Sequence, residues 1–74
     1  MSYDYSMLRG RIVEKYGNVR KFAAVMDLSE TSMYKKIHNE VDWKQSEIER
    51  ACQCLYIPKH EISSYFFTLQ VQKN

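Results

Sequence analysis

Seventy-four residues make one domain, close to the length at which a single hydrophobic core is barely sufficient. A composition of 45% hydrophobic and 27% charged residues, with two Gly and one Pro, is that of a compact, helix-favouring chain and excludes the disordered and low-complexity classes. No apolar run approaches the roughly 20 residues needed to cross a bilayer, and the start MSYDYSML lacks the basic-then-apolar layout of a signal peptide, so a cytosolic chain is expected.

The net charge of +2 is small, and its placement is more informative than its size. Residues 1–17 sum to +1, residues 18–39 to +2 (Arg20, Lys21, Lys35 and Lys36 against Asp27 and Glu30), and residues 40–74 to −1. A polyanion-binding face would lie in the first half of the chain. It would be weak, because tight DNA binding draws on several phosphate contacts from Lys and Arg.

In chain order, Tyr5, Leu8, Ile12, Val13 and Tyr16 have the three-and-four spacing of an amphipathic helix, and Gly17 supplies its stop. Tyr3 and Tyr5 read as staples on this helix, while Arg9 and Arg11 either pair with neighbouring acids or track a phosphate backbone. Asn18 is placed to cap a second helix of about two turns that buries Phe22, Ala23 and Met26. Asp27 falls where that helix should end in a left-handed residue, which Asp tolerates better than most.

Ser29 is a good N-cap for a third helix running to about His38. Its strongly apolar positions are Met33 and Ile37, so a narrow stripe is held by the core and a broad polar face looks outward; Lys35 and Lys36 divide between a solvated face and a contact role. Residues 39–43 form a loop that Trp43 pins to the core. Either Asp42 with Gln45 or Ser46 with Glu49 has the spacing of a capping box opening a fourth helix, whose apolar face is Ile48, Ala51, Cys52 and Leu55. Pro58 is the expected first residue of a fifth helix reaching about Tyr65 and burying Ile62 and Phe66.

The tail FFTLQVQKN, from about residue 67 to 74, alternates apolar and polar residues. That period suits an extended segment packed on the domain or paired with another chain, but a frayed terminus is the expectation adopted. Cys52 and Cys54 point about 200° apart on a helix and cannot bridge each other, and neither His38 nor His60 has ligand spacing with them. The expected fold is all-α, one domain of five short helices spanning 1–74.

Two short helices joined by a tight turn, with small Ala23 midway along the first and a polar-faced second, make a helix-turn-helix over about residues 18–38. With DWKQSEIERACQCLYIP and a fifth helix after it, the pattern resembles the lambda-repressor-like class of phage regulators. YDYSMLRGRIVEKYG, KQSEIERACQCLYIP and EISSYFFT resemble more narrowly the small helix-turn-helix proteins of phage lysogeny modules, which include Cro-like regulators and the antirepressors called modulators of repression. The resemblance implies a role in the choice between lysogenic and lytic growth, inside a bacterial host. It implies one of two partners: operator DNA for a Cro-like member, or the DNA-binding domain of the phage's own repressor for an antirepressor. Self-association into a homodimer is left open, and no cofactor is implied.

The residues that would face either partner are Glu30, Thr31, Ser32, Tyr34, Lys35 and His38 on the third helix, with Ser29, Arg20 and Lys21 placed to hold phosphates. Glu30 can only accept hydrogen bonds and repels phosphate, no Arg occurs in the helix, and Tyr34 is a typical protein-interface anchor. The expectation is therefore an antirepressor that covers the repressor's DNA-binding domain, with direct operator binding as the alternative. With no Gly-rich phosphate loop, no metal cluster and no nucleophile set beside a base, an enzyme is not expected.

Overall fold

Local signals in the chain divide it into helices where the backbone can no longer continue one. The computed structural model describes residues 2–71. Helix α1 (Ser6–Tyr16) ends at Gly17, whose φ of 86° is open to glycine and strained for other residues. Asn18 then caps α2 (Val19–Val25), its Oδ1 accepting from the Lys21 N–H at 2.8 Å. Asp27 takes the left-handed conformation expected of it, φ 58°, and Ser29 caps α3 (Glu30–Ile37) by accepting from the Ser32 N–H at 3.1 Å. Helix α4 covers Gln45–Leu55, and α5 covers Ile62–Phe66.

Among the described residues the result is five α-helices around one apolar core. Leu8 and Ile12 of α1, Phe22 and Ala23 of α2, Met33 and Ile37 of α3, Ala51 and Leu55 of α4 and Phe66 of α5 are all buried there. Met26 joins them from the turn, and the Leu28 N–H returns to the Ala23 carbonyl at 2.9 Å, so α2 and α3 close on each other where Ala23 leaves room. Trp43 pins its loop as expected, lying edge-on to Phe66 at 5.2 Å between ring centres and facing Tyr5 at 6.5 Å. Both cysteines are free thiols, and burial pushes the Cys52 thiol pKa up. No helix among the described residues is long and apolar enough to cross a membrane.

Several expectations need correction. Val13 faces solvent, because the buried stripe of α1 is fully served by Leu8 and Ile12. Neither expected capping box opens α4: Lys44 is the N-cap, and its N–H donates to the Glu47 carboxylate at 2.8 Å. Pro58 precedes a 3₁₀ turn, Lys59–Glu61, that leads into α5, and Ile62 is only half-buried. Lys36 belongs to the interior, not to a solvated face, as described below.

The tail is the largest correction. Residues 68–70 lie along residues 2–4 in an isolated antiparallel bridge between Tyr3 and Leu69, with Asp4 N–H donating to Thr68 O at 2.7 Å and Gln70 N–H to Ser2 O at 3.1 Å. Residues 72–74 lie outside the described residues. On its other edge Tyr3 is gripped by Asn39, whose Oδ1 accepts from the Tyr3 N–H and whose Nδ2 donates to the Tyr3 carbonyl, both at 2.9 Å. The tail is thus an extended segment laid on the domain, held by its backbone groups, while Phe67, Leu69 and Val71 stay largely exposed.

Asn39→Ala is expected to destabilise the fold by about 1–2 kcal/mol, since two part-buried backbone groups lose their partners. A urea melt would show a lower midpoint with an unchanged slope. An unchanged midpoint would remove this clasp from the stabilising contacts.

Candidate functional site

The polar face of α3 is held from behind by a buried ion pair. Lys36 is 6% exposed, and its ammonium meets the Glu47 carboxylate of α4 at 2.9 Å while donating to the Asp42 carbonyl at 3.2 Å. Burial alone would push the Glu47 carboxyl up; the hydrogen bond from Lys44 N–H and the Lys36 ammonium outweigh it and leave the pKa below its ordinary value. One lysine thereby fastens three things: α3, the start of α4 and the loop between them.

With Lys36 withdrawn, Glu30, Thr31, Lys35 and His38 are exposed on α3, and Tyr34 is half-buried with one side packed against the core. The Tyr34 and His38 rings lie 5.7 Å apart, so these two residues form one aromatic surface at the end of the helix. Glu30 occupies the first turn, where its charge also suits the helix dipole. Ser29 donates to the Ser32 hydroxyl at 2.9 Å as well as capping, which ties both hydroxyls into the helix start. Arg20 and Lys21 are exposed on α2.

Two contributors were missed in the sequence. Arg50 of α4 reaches the turn and donates to the Met26 carbonyl at 3.2 Å, placing a further guanidinium beside the α2–α3 junction. At the other end of α3, residues 39–42 fold back so that the Glu40 and Val41 N–H groups both donate to the Lys35 carbonyl, at 2.8 and 3.3 Å. An apolar Val41 amid polar loop residues was the available signal for the second.

Arg11 resolves its own question. Its Nε and Nη2 donate to the Leu55 and Tyr56 carbonyls at 2.9 and 3.3 Å, and Nη1 pairs with Glu14 at 2.6 Å. The guanidinium caps α4, whose last residue before the bend, Tyr56, is left-handed at φ 56°. Among the described residues no three His, Cys, Asp or Glu gather as a metal site.

Residues 1–69 match the family described as "Protein of unknown function (DUF739)". Among solved structures, the chain is similar to the solution structure of the modulator of repression (MOR) of the temperate bacteriophage TP901-1 from Lactococcus lactis. The two share 43% identity over 97% of each chain, with a TM-score of 0.81. The chain belongs to the phage modulator-of-repression family. No curated protein sequence matches it. The modulator of repression it is similar to is a phage regulatory protein, and the chain shares its all-α fold.

Proposed function

We propose that the protein is an antirepressor that binds the DNA-binding domain of its phage's repressor through the outward face of α3 and so blocks operator binding. The carrying observation is the withdrawal of Lys36 into the ion pair with Glu47. It leaves Lys35 as the exposed cation of a helix without Arg, beside exposed Glu30 and the Tyr34–His38 surface. A helix read against DNA needs cations for phosphates and bidentate donors for guanine. A mixed-charge face centred on a tyrosine complements a protein surface, and a basic DNA-reading surface would find Glu30 favourable where a phosphate would not. The name of its similar structure, a modulator of repression, supports the same reading.

A gel shift with operator DNA, with and without the cognate repressor, tests it. The protein alone should leave the operator unshifted and should remove or alter the repressor's shift. A shift by the protein alone at nanomolar concentration, falling steeply with salt, would establish a Cro-like operator binder instead.

A further inference from the structure

We propose that the loop of residues 39–42 is the second half of the repressor-binding surface, with Val41 as its apolar contact and the Glu40 carboxylate as its partner for a cation of the repressor's DNA-binding domain. This rests on the α3 reading above and extends it beyond the helix. Val41 is 45% exposed in a loop that offers it no core position, and Glu40 beside it is exposed.

An exposed valine on a loose loop would mean little, but this loop is held at every residue. Asn39 is bound through its side chain to the Tyr3 backbone, the Glu40 and Val41 N–H groups donate to Lys35 O, and the Asp42 carbonyl accepts from buried Lys36. Asn39 takes a left-handed conformation, φ 64°, to turn the chain this way. A loop so fixed loses little freedom when a partner covers it, which is the condition under which a small contact adds affinity.

The loop leaves the C-terminal end of α3 through the Lys35 carbonyl, so it continues from the end that carries Tyr34 and His38, while Glu30 stands at the other end of the helix. One exposed carboxylate, Glu30, thus opens α3 and another, Glu40, follows its far end just past Tyr34 and His38. A domain that binds DNA carries cations for phosphates on both sides of its reading element. Glu30 and Glu40 offer two such cations a counter-charge, and Lys36 serves as the positioning residue that keeps the loop in place.

The experiment titrates the full chain with the purified DNA-binding domain of the cognate repressor, in four variants. Val41→Ser is expected to weaken binding about tenfold, as for an apolar interface anchor. Glu40→Lys is expected to weaken it about fivefold or more and to flatten the dependence of the association rate on salt. Both should keep the wild-type thermal midpoint, since neither side chain is buried. Binding within twofold of wild type for both, while Glu30→Lys and Tyr34→Ala weaken it, would place the loop outside the interface and leave the α3 reading standing. Wild-type binding in all four variants would overturn the α3 reading, and this extension with it.

Discussion

Lys36→Ala is expected to destabilise the protein by about 3–5 kcal/mol, because it leaves the Glu47 carboxylate buried without its counter-charge. The Lys36 and Glu47 side chains are 7% and 12% exposed, so water can replace little of what the ammonium supplies. The Asp42 carbonyl loses its donor in the same change. Small domains have only about 5–15 kcal/mol in hand, so this variant should stand near the edge of folding. Replacing both partners, Lys36→Met with Glu47→Leu, should be far milder than the single change, since no charge is then stranded. Urea unfolding followed by circular dichroism checks both, and a single-variant loss below about 1 kcal/mol would show that the pair is not acting as a buried one.

The same pair sets an acid limit. Glu47 has a lower pKa in the folded chain than its ordinary value of 4.5, so its contribution is fully present above that value and is lost as pH falls through the folded one. Stability should therefore decline on acidification below about pH 5, and decline less in the double variant.

Tyr34→Ala is expected to weaken binding to the repressor's DNA-binding domain by about 2 kcal/mol or more, roughly thirtyfold, the scale of a central aromatic anchor. Its neighbour His38 loses the ring it lies against, so the truncation opens the middle of the face and not its rim. Glu30→Lys is expected to act differently. It should slow association and reverse part of the salt dependence, and it should raise non-specific DNA affinity by adding a cation to an exposed helix end. Surface-captured repressor domain reports both rate constants. A Tyr34→Ala variant with an unaltered dissociation rate would remove Tyr34 as the anchor, and an unaltered association rate in Glu30→Lys as well would remove α3 from the interface.

The local features of the fold were legible because each is written in one or two adjacent residues. Gly17, Asn18, Asp27 and Ser29 each state a stop, a cap or a left-handed turn, and the structure places all four so. The start of α4 was harder, since Asp42, Ser46 and Lys44 each stand three residues before a side chain able to complete a box. Lys44 is used because Glu47 must also face Lys36. The ion pair joins Lys36 to the next helix, and although Lys36 follows Met33 by three, on the buried side of the stripe, its charge reads as exposure until Glu47 is seen beside it. The tail was misread for a related reason: its partner strand is at the opposite end of the chain. Of the candidate site, the residue types on α3 could be read directly, while Arg50 and the loop came into view only with the tertiary contacts.

The clasp at Tyr3 has a kinetic consequence. Helices α2 and α3 meet through short connections, but the Asn39–Tyr3 bonds close a separation of 36 residues and the Tyr3–Leu69 bridge spans nearly the whole chain. Contacts that close long loops form late, and those at chain ends are among the first to open. The helical body can therefore stay folded while residues 2–4 come away, and each such opening frees the Asn39 side chain at the head of the loop that carries Glu40 and Val41. Such an opening leaves the Lys35 carbonyl and the Lys36 ammonium on the loop, so the chain's first residues set how firmly Asn39 is held at its head while the rest keeps its shape.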